Sequence, residues 1–448
     1  MNDTKEKPRL SIIGLGKLGS PMAASFASRG FSVIGVDLNK NYVDAINQAK
    51  APVFEPDLQQ YLLENRERIS ATQDYRKAVL DSDITFIIVP TPSKPEGDFS
   101  TEYVVSAARG IGKALREKNT FHLVALTSTV SPGSTQRDVI PVLEKESGKT
   151  CGIEFGVCYN PEFIALGSVI RNILEPDFVL IGESDEKSGS ALEEFYRNVC
   201  LNKPPVKRMS IINAEIAKIS LNVYITTKIS YANMLAELCE KIPGADADVV
   251  TDAIGCDARI GKKYLKGALG FAGPCFPRDA RAFMHLAGSF GAHALLPEAT
   301  DAVNRRQVMR VAQIISSRIP EGGKVSVLGL SYKPDTDVID ESQGVEIARV
   351  LSGKNIPVAV YDPVAHGNAK KVLGESVVFA ASLEEAVAFG NAIVIATPWK
   401  EFGAIDEAFF QKGPTPKTVV DCWRVLDPKR YHDGLILYFP IGAGDNNT

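Results

Sequence analysis

Apolar residues in this chain come in short dense runs, and polar or mixed stretches with helical spacing separate them. "LSIIG" reads as a short buried strand, "SPMAASFASRG" as a helix ending at Gly30, and "SVIGVD" as a second strand. Further strand candidates are "ITFIIVP" at 84–90, "HLVALTSTV" at 122–130, "EFGVCYNPE" at 154–162 and "DFVLIGE" at 177–183. Helical stretches lie between most of them. The alternation predicts a parallel sheet with helices on both faces. From Asn213 to Lys241 the pattern changes, and 29 residues pass without Gly or Pro. Ile216, Ile219 and Val223, then Ser230, Met234 and Leu238, mark apolar or small faces at helical spacing. This predicts the longest helix of the chain, a connector between domains, with more helices following to about 318. At "GGKVSVLGLSYKPDTD" a second α/β pattern begins, with strands "KVSVLGL", "PVAVYDP", "AIVIATP" and "TVVDCW". The two ends share an architecture without a tight sequence repeat.

Composition narrows the class. The 448 residues are 45% hydrophobic and 23% charged, enough for several domains with large cores. Fifty basic and 54 acidic residues give a net charge of −4, so no broad basic field draws nucleic acid or an anionic membrane. An anionic substrate needs local basic pockets instead. No run of 18 apolar residues suggests a membrane span, and "MNDTKEKPRL" lacks the apolar stretch of a secretory signal. The expectation is a soluble cytoplasmic protein with frayed ends at 1–7 and about 442–448. The seven cysteines are scattered, odd in number and without the paired spacing of zinc sites, so no metal is expected.

Chemistry enters with "GLGKLG", which places Gly14, Gly16 and Gly19 in the pattern G-x-G-x-x-G, with Lys17 and Leu18 between them. The glycines permit a tight turn and close approach of backbone to a pyrophosphate at a helix N-terminus. The motif follows a strand, opens a helix, and precedes Asp37 at the end of the next strand. Asp37 can accept from a ribose 2′-hydroxyl and would repel a 2′-phosphate, which favours NAD over NADP. The plain alternative is a tight strand–helix turn with no ligand. Thr91, Thr129 and Glu162 each follow an apolar strand, where open parallel sheets bind ligands; singly, each also reads as a turn or cap residue. Lys218 and Asn222 share one helix face at i and i+4, suited either to a developing oxyanion or to solvent. In "GFAGPCFPRD", Cys275 sits between two prolines with Arg278 and Asp279 just beyond. A thiol attacks as its thiolate, which nearby cations favour. Local sequence leaves a nucleophile and an inert buried cysteine both open.

Taken together, "GLGKLG", "VPTP", "STVSPG", "NPEF", "AKISLNVYITTKISYANMLAELCE", "GCDARIGKKYLKGALGFAGPCFPRD", "GLSYKPDTD" and "VYDP" stand in an order that resembles the UDP-glucose/GDP-mannose dehydrogenases over nearly the whole chain. The resemblance implies an α/β fold of two Rossmann-like domains joined by a long central helix and a helical dimerisation domain. The implied boundaries are 1–208 for an NAD-binding domain, 209–318 for the central helix and helical domain carrying the Cys275 loop, and 319–448 for a nucleotide-sugar domain. It implies four-electron, NAD-dependent oxidation of a nucleotide-sugar C6 alcohol through a Cys275 thiohemiacetal and thioester. Lys218 and Asn222 would bind the reacting oxygen, Asp279 would assist water and proton movement, Glu162 would serve thioester hydrolysis, and Thr129 would hold a water or cofactor. Gly14, Gly16, Lys17, Leu18, Gly19, Asp37, Thr91, Thr129 and Arg278 would contact NAD. Glu162, Phe163, Lys218, Asn222, Arg259, Tyr264, Leu265, Lys266, Ala272 and Lys333 would contact the substrate. Arg259 would reach across from a partner subunit, which implies a homodimer.

"KISYANMLAELCE" and the "CFPRD" ending are closer to the UDP-glucose branch. UDP-N-acetylhexosamine, GDP-mannose and other nucleotide sugars are the alternatives. Four positions depart from the family's pattern: Leu166 replaces a glutamate, Asp340 an arginine, Ala272 a glycine, and Pro274 a residue that is often serine. Leu166 and Asp340 motivate a reading of another class, a non-catalytic relative that binds NAD or nucleotide sugar.

Overall fold

The computed structural model describes residues 7–432 and 434–444. It divides into two compact units, Met1–Ser220 and Leu221–Thr448. The first is built on eight strands: β1 (Leu10–Ile13), β2 (Val33–Val36), β3 (Ile69–Thr72), β4 (Ile84–Ile87), β5 (His122–Leu126), β6 (Phe155–Tyr159), β7 (Val179–Glu183) and β8 (Val206–Ser210). Their order is β3-β2-β1-β4-β5-β6-β7-β8. The six from β3 to β6 run parallel in the doubly wound order that opens a ligand crevice beside β1. Side chains alternate between two apolar layers. Leu10 and Ile12, Ile84 and Phe86, Leu123 and Ala125 face one layer. Ile13, Ile87, Val124 and Leu126 face the other. This double burial is why these strands read as continuous apolar runs.

The second unit repeats the plan with β9 (Val325–Leu328), β10 (Val358–Tyr361), β11 (Val378–Phe379), β12 (Ala392–Ile395), β13 (Lys417–Asp421) and β14 (Ile436–Pro440). All are parallel, in the order β11-β10-β9-β12-β13-β14. Before this sheet the chain is helical, with helices at Ala247–Gly255, Phe276–Ser289 and Leu295–Ser316. The longest helix, Ile211–Cys239, is continuous across the boundary between the units. Among the described residues no helix is long and apolar enough to cross a membrane.

Two expectations need correction. The first sheet is not wholly parallel: β7 pairs antiparallel with β6, and β8 then follows β7 in parallel. The chain between β6 and β7 holds only a six-residue helix, Val169–Leu174, whose apolar side chains join the same layer as Met22 and Phe26. The chain turns back instead of making a full crossover. The long helix exposes some of its apolar positions. Ile219, Val223 and Ser230 are buried, whereas Ile216, Met234 and Leu238 are exposed. Against the second expectation, the C-terminal end is tied down at 442–444. The Gly442 N–H donates to Glu240 Oε1 at 2.7 Å, Ala443 bridges to Asp246, and the Gly444 N–H donates to the Ala245 carbonyl. At the other end Lys7 Nζ donates to the Arg29 carbonyl at 2.5 Å. Residues 1–6 and 445–448 lie outside the described residues.

Candidate active site

The loop after β1 has the shape of a dinucleotide cradle. Gly14 has φ of +103°, and a Cβ there would lie 2.4 Å from the Ile88 carbonyl oxygen. A Cβ on Gly19 would lie 1.8 Å from the Gly14 carbonyl oxygen, so the helix Gly19–Ser28 packs directly on the loop. Gly16 is different. A Cβ there would meet nothing within 4 Å, so this glycine faces open space in front of the helix N-terminus. Lys17 and Leu18 complete the same turn. Asp37, just past β2, accepts from the Leu15 N–H at 2.7 Å and the Asn39 N–H at 2.8 Å. A carboxylate offers about four acceptor positions, so this half-buried group retains capacity for ribose hydroxyls. These residues fit a bound dinucleotide.

The second unit carries a spent version of the same cradle. Gly329 has φ of +98°, and a Cβ on Gly344 would lie 2.0 Å from the Gly329 carbonyl oxygen. Asp362 stands past β10 as Asp37 stands past β2. It is buried and accepts from Leu330 N, Ser331 N and Oγ, Val364 N, Ala365 N and Trp399 Nε1. Its acceptor positions are used up by protein donors, so only the first cradle keeps an acid for a ribose.

Five sequence-predicted residues gather in two groups in the first unit, near the ends of β4, β5 and β6. Thr91 Oγ1 donates to the Thr129 carbonyl at 2.7 Å, which joins the segments after β4 and β5. After β6, Lys218 Nζ donates to the Glu162 carbonyl at 2.7 Å and lies 4.6 Å from the centre of the Phe163 ring. Lys218 is buried on the long helix, and the carbonyl and ring hold its ammonium in place. The Glu162 carboxyl accepts from the Tyr196 hydroxyl at 2.9 Å. Burial pushes its pKa up to about 7, against the opposing pull of Tyr196 and the Lys218 charge.

In the second unit Cys275 is exposed and caps the N-terminus of the helix Phe276–Ser289, with Pro277 in its first turn. Cys275 is therefore not a buried cysteine. Negative charge developing beside Cys275 faces the positive end of the helix. One turn on, Asp279 is fully buried. It accepts from Asn222 Nδ2 at 2.6 Å on one oxygen and from the Arg278 guanidinium at 3.2 Å on the other. Asn222 follows Lys218 by one turn of the long helix, so the expected solvated face is a buried polar one.

The loop leading to Cys275 is gripped by groups that sequence reasoning missed. Asn233 Oδ1 accepts from Ala268 N at 2.8 Å while its Nδ2 donates to the Leu269 carbonyl at 3.0 Å. Asn304 does the same to Phe271, at 2.7 and 3.0 Å. Both amides are buried on helices. Gly270 lies between these clamps, and a Cβ there would lie 2.3 Å from Asn304 Oδ1. Gly273 donates to the Asp340 carbonyl at 2.9 Å, and its open side is covered by the Tyr332 ring. Two buried acids were missed as well. Glu215 accepts from Gly133 N, Thr135 N and Thr135 Oγ1, holding the loop that follows Thr129. Glu55 accepts from Gly167 N and Val169 N, holding the loop that follows Glu162. A lone acid or amide, in a helix or in a loop, carries no local signal of such a role.

The remaining candidates scatter more widely. Tyr264 has φ of +62° and approaches the Phe276 ring, beside Cys275, at 6.2 Å between centroids. Leu265 and Ala272 are buried, and Lys266 reaches Asp248 at 3.6 Å. Lys333 lies 6.0 Å from the Tyr332 ring that backs Gly273. The Arg259 side chain is 88% exposed and forks onto Asp257, so the structure does not bring it to Cys275 of its own chain. At the departures, Leu166 packs against the apolar layer, and Asp340 contributes through its backbone carbonyl, a contact that any side chain permits.

Comparison with known proteins accounts for this arrangement. The description UDP-glucose/GDP-mannose dehydrogenase family applies to three consecutive matches: an NAD binding domain at 8–200, a central domain at 212–306 and a UDP binding domain at 326–428. A GDP-mannose 6-dehydrogenase of Pseudomonas aeruginosa is 36% identical over 430 residues, covering 92% of this chain and 96% of that one. A UDP-glucose 6-dehydrogenase of Haloferax volcanii is also 36% identical, covering 89% and 93%. Equal identity to both leaves the sugar undecided. A solved UDP-glucose dehydrogenase from Pyrobaculum islandicum superposes with a TM-score of 0.88 at 34% identity, covering 99% of each chain.

Proposed function

The chain belongs to the UDP-glucose/GDP-mannose dehydrogenase family of NAD-dependent nucleotide-sugar 6-dehydrogenases, and on that premise we propose that it oxidises UDP-glucose to the C6 carboxylate through a thioester on Cys275. The observation that carries this reading is the exposed thiol at a helix N-terminus, one turn from the buried Asn222–Asp279 pair. NAD, held by the Gly14–Gly19 loop and Asp37 with Thr91, Thr129 and Arg278 contributing, supplies the hydride acceptor. Lys218 and Asn222 stabilise negative charge on the C6 oxygen. Loss of a C6 hydrogen as hydride and of the hydroxyl proton gives an aldehyde. Cys275 Sγ then adds to its carbon while the thiol proton passes to the carbonyl oxygen, giving a tetrahedral thiohemiacetal. Loss of its C–H hydrogen as hydride and its hydroxyl proton leaves a thioester. Water then cleaves the C–S bond, with Glu162 taking the proton from the attacking water and Asp279 assisting proton return to sulfur. Phe163, Tyr264, Leu265, Lys266, Ala272 and Lys333 shape the substrate pocket.

UDP-glucose is preferred because "KISYANMLAELCE" and "CFPRD" resemble that branch. GDP-mannose is the second reading, favoured by the equal identity to a GDP-mannose 6-dehydrogenase. A panel of nucleotide sugars assayed for NADH and for product mass separates them. UDP-glucose should yield two NADH per sugar and a product heavier by one oxygen and lighter by two hydrogens. NADP should not replace NAD. Turnover of GDP-mannose alone would transfer the reading to the second sugar. One NADH per sugar would mean release of an aldehyde, and no turnover with any sugar would support a binding protein.

We also propose a homodimer through the long helix. Tyr224, Tyr231 and Leu238 lie seven residues apart on it, with Met234 on the same face, and all four are at least 46% exposed. Arg259 then serves the partner's substrate. Tyr231→Glu with Leu238→Glu should halve the mass measured by light scattering and raise KM for the sugar by about tenfold or more. An unchanged mass would place the interface elsewhere. The domain boundaries 1–208, 209–318 and 319–448 stand as our division of the chain by role. The seven free cysteines suit a reducing compartment, and we place the enzyme in the cytoplasm.

A further inference from the structure

Glu162 must hold a proton at one stage of thioester hydrolysis and lack it at another, in a crowded site where a lost hydrogen bond is costly. Its carboxyl has one protein donor described above, the Tyr196 hydroxyl at 2.9 Å. The same hydroxyl lies 2.6 Å from Asn160 Oδ1. A phenol has one proton, so it donates to only one of these acceptors at a time. The Asn160 amide is itself oriented: its Nδ2 donates to the Leu180 carbonyl at 3.0 Å, which turns Oδ1 toward Tyr196. Tyr196 is buried on the helix Glu186–Val199, with its ring against Phe195 at 5.2 Å between centroids. With the ring packed in place, the hydroxyl hydrogen can turn between the two acceptors.

We propose that Tyr196 is a positioning residue for Glu162, its hydroxyl acting as a rotor between two acceptors. With Glu162 ionised, the hydroxyl donates to the carboxylate. With Glu162 protonated, the carboxyl donates to the phenol oxygen, and the phenol proton swings to Asn160 Oδ1. Each group keeps a partner in both states, so proton uptake and return proceed without a buried polar atom being stranded. The assignment rests on Glu162 serving thioester hydrolysis as proposed above.

The charged and titratable groups facing Glu162 are Lys218 from the long helix, and Tyr196 and Cys200 from the helix Glu186–Val199 and its end. Arg29 lies beyond Cys200. The Lys218 charge favours the carboxylate in wild type and variants alike. Burial pushes Tyr196 and Cys200 up, so neither loses its proton near neutral pH. The sign of each substitution follows. Tyr196→Phe removes a donor to the carboxylate, so Glu162 ionises at higher pH. Asn160→Leu removes the competing acceptor and leaves the hydroxyl on Glu162, so ionisation falls to lower pH.

The test follows decay of the Cys275 thioester by intact mass after mixing enzyme with NAD and UDP-glucose, or with GDP-mannose if only that turns over, across a neutral pH range. For Tyr196→Phe the rising limb of hydrolysis should move up by about one pH unit, and thioester should accumulate below it. For Asn160→Leu the limb should move down. In substrate-free protein, infrared titration of the protonated carboxyl band, assigned by its loss in Glu162→Gln, should show the same opposite shifts. A Tyr196→Phe midpoint equal to wild type, or shifts of the same sign in both variants, would overturn the rotor. Absence of any thioester in the wild type would instead defeat the catalytic reading, while the infrared midpoints would still judge the Tyr196–Glu162 coupling.

Discussion

Cys275→Ser should lower steady-state NADH formation by roughly a thousandfold or more and abolish the sugar-linked mass on the protein. A serine hydroxyl adds poorly to the aldehyde, so the tetrahedral carbon needed for the second oxidation does not accumulate. Unfolding would not explain the loss. The side chain is exposed at the N-cap of the helix Phe276–Ser289, a position where serine is well suited. A thermal midpoint equal to wild type, read beside the rate, makes that separation. Activity within tenfold of wild type would remove Cys275 from the chemistry.

Gly270→Val should act through position instead. Its Cβ would fall 2.3 Å from Asn304 Oδ1 and 2.8 Å from Gln343 Oε1, so the Asn304 grip on Phe271 must open. Overpacking and an unsatisfied buried amide together cost on the order of 3 kcal/mol, or about 6–12 °C in Tm for a unit of this size. Cys275 lies five residues along the same loop, and a shift of about 1 Å there lowers the rate by about a hundredfold. Calorimetry and the NADH assay check both effects. Asn304→Leu should reproduce the shift in melting and rate, because it removes the same two bonds from the other side. A Gly270→Val protein with wild-type melting and rate would show that the loop is not held by these clamps.

The glycine cradle was legible because its parts are close in sequence and physically coupled. A strand, three glycines, a helix start and an acid follow one another within Leu10 to Asp37. The central strands were legible because both faces are buried, so every position is apolar. Four strands were not found: β3, β8, β11 and β14. They are the edges of the two sheets: β3 and β8 carry the mixed sequences "ISAT" and "VKRMS", β11 is two residues long, and β14, "ILYFP", is apolar but not buried. A short or mixed edge strand buries too little to leave a pattern.

Lys218, Asn222, Cys275 and Asp279 were visible as residue types, but local spacing favoured a solvated face for Lys218 and Asn222 and left an inert thiol open for Cys275. Asn222 and Asp279 lie 57 residues apart, and only folding brings that amide to that carboxylate. The same holds for Tyr196 with Glu162, 34 residues apart, and for Glu215 with Thr135, 80 apart. Local order along the chain thus determined two α/β units, a nucleotide cradle in the first and the Cys275 loop before the second. Steric needs of turns and the burial of whole strands act over a few residues and are written there. Which buried polar groups hold that loop, and which hydroxyl serves Glu162, was decided by tertiary structure alone. Hydrogen-bond satisfaction in a dry interior is a condition on neighbours in space, and it leaves no periodic trace in the order of residues.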